Sequence, residues 1–155
     1  MALEYSFEFE DILKILPHRP PFLFVDRVNK LIPGKQIVTQ RTFLADEWFF
    51  KGHFPQKAIV PGVIVTDACA QTSGLLWGFT KQVTGGDTGS GPQIFFLAAA
   101  NMKYTGPAGP GDTIEMTAIA EKNFGTLFTY TVEAATKRKI VAKGSLTLAM
   151  VEGAL

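Results

Sequence analysis

The chain has 155 residues, a net charge of +1, 46% hydrophobic residues and 19% charged ones. That length suits one domain over residues 1–155 with a core of its own, and the balanced charge offers no basic surface for nucleic acid. A single cysteine excludes an internal disulfide, and with only two histidines it excludes a zinc site built on three His or on several Cys.

The lone thiol fits a reducing cytoplasm, and the acidic start MALEYSFEFEDILK argues against an export signal. Thirteen phenylalanines are a surplus of apolar surface, to be hidden between subunits or around a greasy ligand.

In chain order, Phe9, Ile12 and Leu13 have helical spacing over residues 8–15, ending at Pro17. Prolines 17, 20 and 21 make LPHRPPF extended or turning. FLFVDRV, residues 22–28, predicts a strand, IPGK (32–35) a turn, and QIVTQRTFL (36–44) a second strand. Residues 59–79 are the longest apolar stretch, but Thr66, Asp67, Gln71, Thr72 and Ser73 interrupt it. A membrane span does not carry that load, so the segment predicts a buried helix.

TGGDTGSGPQ (84–93) reads as a surface loop, since it lacks the ending of a phosphate-binding loop. Beyond it, segments 93–105, 113–121, 127–134 and 140–150 alternate or carry β-branched residues, separated by GPAGPGD, NFGT and TKRK. They predict an antiparallel meander with the long helix packed against it, an α+β layout.

Chemistry concentrates in GHFPQKAIVPGVIVTDACAQ (52–71). Pro61-Gly62 stands where the helix begins, and free N–H groups there favour a carbonyl oxygen that gains negative charge. Asp67 and Gln71 are i,i+4 neighbours, so the amide can orient the carboxyl group. His53, fourteen residues before Asp67, supplies a base. Together these groups could move a proton next to a carbonyl and hand another to a leaving group. On residue type alone the plainer roles stay open: a turn histidine, a structural carboxylate. His18 reads as structural, Cys69 as core, and Ser73 has no paired base to make it a nucleophile.

LPHRPPFLFVDRV (16–28), FFKGHFPQKAIVPGVIVTDACAQ (49–71) and NMKYTGPAGPGDTIEM (101–116) resemble the bacterial 3-hydroxyacyl-acyl carrier protein (ACP) dehydratases of the FabZ type. The resemblance implies a hot-dog fold, a long central helix wrapped by a curved antiparallel sheet. It also implies homodimers with one continuous sheet, extending in FabZ-type enzymes to a trimer of dimers.

The implied activity is dehydration of a (3R)-hydroxyacyl-ACP to the trans-2-enoyl thioester in fatty acid or related acyl synthesis, without metal or organic cofactor. His53 matches the catalytic histidine, Gly62 the backbone donor to the thioester carbonyl, and Gln71 the residue that positions the helix carboxylate. Asp67 stands where FabZ-type enzymes carry Glu and the isomerising FabA type carries Asp. Double-bond isomerisation, a hot-dog thioesterase and a non-catalytic acyl-binding module are therefore the alternatives. Phe54, Val63, Phe95 and Phe96 are expected in the acyl tunnel, with Phe49, Phe50 and Phe79 as further candidates. Lys51, Lys57 and Lys103 are expected to dock the acidic carrier protein.

Overall fold

The computed structural model describes residues 3–86 and 94–151. In order they form β1 (Tyr5–Phe7), α1 (Phe9–Ile15), β2 (Arg27–Ile32), β3 (Gln36–Thr42), a 3₁₀ turn (Trp48–Lys51), α2 (Gly62–Val83), β4 (Ile94–Tyr104), β5 (Thr113–Phe124), β6 (Leu127–Ala135) and β7 (Ile140–Val151). The seven strands make one sheet in the order β1-β2-β3-β5-β6-β7-β4, with every neighbouring pair antiparallel. Helix α2 crosses one face of it and touches β2 through β7. This is the α+β hot-dog layout.

Helix α2 is apolar nearly all round because sheet or α1 covers most of it. Ile64, Val65, Ala68, Cys69, Leu75, Leu76 and Phe79 are all buried. Its polar residues are satisfied locally: Thr72 Oγ1 donates to the Ala68 carbonyl (2.8 Å) and meets the buried Thr39 hydroxyl (2.8 Å), and Ser73 Oγ donates to the Cys69 carbonyl (2.9 Å). At Gly78 a Cβ would stand 2.3 Å from Ile15 Cγ2, so only glycine lets α1 lie this close to α2. Opposite, Ile114, Met116 and Ala118 of β5 point into the core between outward Thr113 and Glu115. Each fully buried Leu, Ile or Phe stabilises the fold by about 1.5–3 kcal/mol. Among the described residues no helix is long and apolar enough to cross a membrane.

Two sequence expectations change. The strand predicted from Phe22 begins at Arg27 instead. Leu23, Phe24 and Val25 are buried, but the Gln71 side chain takes the backbone groups of Phe22 and Phe24, replacing ladder bonds. The C-terminal strands are also no simple meander, since β4 pairs with β7 and not with β5. The glycine- and proline-rich segment 106–112 must carry the chain back across three strand spacings, about 14 Å. Local periodicity marks strands without saying which ones pair. Finally, β1 and the 3₁₀ turn are too short to have been predicted. Of the loop expected at 84–93, residues 87–93 lie outside the described residues.

Candidate active site

Three segments build the site: the turn after the 3₁₀ helix, the first turns of α2, and the loop between α1 and β2. Ion pairs hold the first. Arg41 bridges Glu47 (3.0 Å) and Asp26 (3.3 Å), and Glu47 also accepts from the Leu44 N–H (3.0 Å). The Trp48 indole N–H donates to the Pro21 carbonyl at 3.3 Å, tying this segment to the loop before β2.

His53 follows the turn with its N–H on the Phe49 carbonyl (3.1 Å) and its Nδ1 3.0 Å from the Ile59 carbonyl. A carbonyl only accepts, so Nδ1 carries a proton, and in the neutral ring the lone pair is on Nε2. The ring therefore presents a base. Phe54, beside it with ring centroids 4.4 Å apart, adopts φ 51°, a left-handed conformation that costs a bulky residue about 1–3 kcal/mol. Strain of that kind is tolerated where the surroundings dictate the chain path.

Pro61 caps α2, its carbonyl accepting from the Ile64 and Val65 N–H groups at 2.9 and 3.1 Å. Helix geometry leaves the Gly62 and Val63 N–H groups without intrahelical acceptors. The Tyr104 ring lies over Gly62, where a Cβ would meet Cε1 at 3.0 Å. Its hydroxyl bonds the Thr66 hydroxyl, one turn further along the helix. A bare backbone at position 62 thus admits the tyrosine ring.

Asp67 opens into a cavity of about 210 Å³ lined by His18, Gln71, Phe95, Phe96, Leu97 and Leu148 among others. Gln71 is 3% exposed and fully engaged. Its Nε2 donates to Asp67 Oδ2 (2.7 Å) and to the Phe22 carbonyl (3.1 Å), while its Oε1 accepts from the Phe24 N–H (2.7 Å). Burial pushes the Asp67 pKa up from the usual carboxylate range; the Gln71 hydrogen bond and the nearby His18 pull it partly back. A carboxyl biased towards its protonated form is what a general acid needs.

The structure sorts the expected residues. Asp67, Gln71, Phe95 and Phe96 share the cavity. His53 and Gly62 are not among its lining, nor are Phe54 and Val63, which stand 60% and 73% exposed. Phe49, Phe50 and Phe79 are core, Phe79 stacked on Phe7 at 3.9 Å. Lys51, Lys57 and Lys103 are exposed. Cys69 is fully buried with its thiol pushed up to about 12 by burial, a core residue with no thiolate to offer.

His18, expected to be structural, lines the same cavity as Asp67. Its neighbours Pro17, Arg19, Pro20 and Pro21 gave no sign of that placement. Tyr104 was also missed, since nothing local links it to residue 62.

The FabA-like domain family matches residues 16–145. The 3-hydroxyacyl-ACP dehydratase FabZ of Geobacter metallireducens is 33% identical over 144 residues, covering 93% of each chain. That of Helicobacter pylori is 34% identical over 155 residues, covering 97% of this chain and 94% of its own. Among solved structures, the dehydratase heterocomplex ApeI:P from Xenorhabdus doucetiae superposes with a TM-score of 0.76 at 14% identity, over 91% of both chains. A hypothetical thioesterase from Streptococcus pneumoniae reaches 0.58 at 12% identity, over 80% of this chain and 84% of its own, a likeness of fold alone. With a matching family model over most of its length and relatives a third identical end to end, the chain belongs to the FabA-like family.

Proposed function

We propose that the chain is a hydro-lyase that dehydrates (3R)-hydroxyacyl-ACP to trans-2-enoyl-ACP and water. One observation carries the reading: a carboxyl group with a raised pKa, aimed into an apolar cavity by a glutamine that is itself pinned at both ends. His53 Nε2 takes the proton from C2. The thioester oxygen gains charge opposite the Gly62 N–H, at the positive end of α2. As the double bond forms between C2 and C3, the C3–O bond breaks and Asp67 gives its proton to the departing hydroxyl. The products are the enoyl thioester, water, a protonated His53 and an ionised Asp67. One proton to solvent and one from it restore the enzyme.

The placement of His53 outside the Asp67 cavity supports a site shared between two subunits. Strand β4 supports the same arrangement: among the described residues it pairs with β7 alone, and its eleven residues leave an edge with Phe96 and Leu97 exposed. A long, apolar, unpaired edge invites a second strand. In a homodimer with β4 against β4, the sheet becomes continuous and His53 of one subunit serves Asp67 of the other.

Incubation with 3-hydroxyacyl-ACPs of several chain lengths, read by mass spectrometry, tests the reaction. His53→Ala and Asp67→Asn should each lower kcat by at least about 10²-fold. Refolded together, the two inactive proteins should recover roughly a quarter of wild-type activity, since half the dimers are mixed and half their sites intact. A His53→Ala protein with near-normal turnover rules out the mechanism; no recovery on mixing rules out the shared site.

A further inference from the structure

The cavity at Asp67 runs along the helix that carries the acid. Helix α2 contributes Asp67, Ala70, Gln71 and Gly74 to its lining, the i, i+3, i+4, i+7 set that forms one stripe of a helix. Past the acid and its glutamine the stripe narrows to a methyl at Ala70 and a bare backbone at Gly74. There an added Cβ would meet Leu16 Cδ2 at an ordinary 3.7 Å. Trp77 comes next on the stripe, ten residues and about 15 Å along the axis from Asp67.

Trp77 is fixed in place by other rings. It meets Phe95 at 5.2 Å between centroids and Phe128 at 6.4 Å, with the planes 70° apart in both cases. Phe95 and Phe128 meet at 5.8 Å and 83°. Edge-to-face contacts of this kind are a favoured aromatic packing, and the Lys81 ammonium adds a cation over the Trp77 ring, 5.8 Å from its centroid.

The three rings belong to two different cavities. Phe95 lines the one at Asp67, whereas Trp77 and Phe128 line a second, of about 190 Å³, together with Leu76, Thr80 and Tyr130. Leu148, on the Asp67 side, stands directly opposite Phe128 on the neighbouring strand. Rings in direct contact therefore form the partition between the two spaces.

Taking the dehydratase reading as given, we propose that Trp77 sets the longest acyl chain the site accepts. The tail of the 3-hydroxyacyl thioester runs from Asp67 past Ala70 and Gly74 and ends against the partition of Trp77, Phe95 and Phe128. The substrates are then acyl thioesters of medium length or shorter. Each methylene buried before the partition should raise kcat/KM about fourfold; a tail that overruns it must displace packed rings and gains nothing. With the indole removed, the second cavity continues the path.

The test compares kcat/KM for 3-hydroxyacyl-ACPs from hexanoyl to palmitoyl length. In Trp77→Ala the palmitoyl-to-hexanoyl ratio should rise at least about tenfold, the worth of two further buried methylenes. Trp77→Leu, which keeps an apolar filler for the core, should move the ratio in the same direction. Gly74→Val works from the other side: a Cβ has room there, and its bulk on the stripe should lower the decanoyl-to-hexanoyl ratio by about fourfold or more. A length profile that stays the same in the Trp77 variants overturns the proposal, and so does an unchanged profile in Gly74→Val. Absence of dehydration by the wild type at every length overturns the dehydratase reading itself, and this proposal with it.

Discussion

Replacing Gln71 with leucine removes three hydrogen bonds at nearly constant side-chain volume, so the cost is polar rather than a cavity. The Phe24 N–H, in a residue with no exposed surface, loses its acceptor. An orphaned buried donor costs about 1–3 kcal/mol. The Phe22 carbonyl and the Asp67 carboxyl lose a shared donor, but Asp67 borders the cavity and Phe22 is an exposed residue, so water can partly replace it. The expected total is about 2–4 kcal/mol. For a domain of this size that lowers Tm by roughly 5–15 °C.

Losing the Gln71 hydrogen bond also removes a contribution that lowers the Asp67 pKa, so the carboxyl should stay protonated to higher pH while being less well aimed. Urea unfolding at fixed protein concentration measures the first effect, and the pH profile of kcat the second. Gln71→Glu is the informative companion. It keeps an acceptor for the Phe24 N–H but sets a second carboxyl beside Asp67 in place of a donor. A leucine variant within about 0.5 kcal/mol of wild type, the spread of neutral surface changes, would refute the claim that this amide ties the loop to the helix.

Gly62→Ala should lower kcat/KM by about 10²-fold, because its methyl displaces the Tyr104 ring 3.0 Å away and misplaces the thioester. Adding Tyr104→Ala should recover part of the loss, and no recovery would exclude the ring as the cause. Asp67→Asn should be more stable than wild type at alkaline pH. With its folded pKa raised, Asp67 carries no penalty below its unfolded pKa and an increasing one as pH climbs through the folded pKa, so the advantage should vanish in acid. Melting curves from pH 3 to pH 9 check this, and a gain independent of pH would contradict it. Charge reversal at the exposed Lys51, Lys57 or Lys103 should raise KM for acyl-ACP while leaving a short acyl-CoA surrogate nearly unaffected; equal effects on both substrates would remove that lysine from the docking surface.

The sequence alone determined the elements whose signals are local. The start of α2 at Pro61-Gly62, the breaks at Pro17 and at Pro33-Gly34, and the alternation of β5 are written in backbone geometry and in periods of two and 3.6 residues. The Asp67–Gln71 pair belongs to the same class, since i,i+4 spacing on a helix forces the two side chains together.

What only the tertiary structure decided are contacts between segments far apart in the chain. Segment 22–25 has strand-like residues, but a helix side chain 47 positions away takes its hydrogen bonds. Strand β4 reads like its neighbours, yet its partner is β7, and its far edge is left open. His18 and Tyr104 reached the site by the same route, brought beside Asp67 and Gly62 by a clamped loop and by the end of a strand. Local sequence sets φ, ψ and which face is apolar. Which faces meet is a property of the whole packed chain, because burial rewards any apolar partner and only shape and hydrogen-bond satisfaction choose among them.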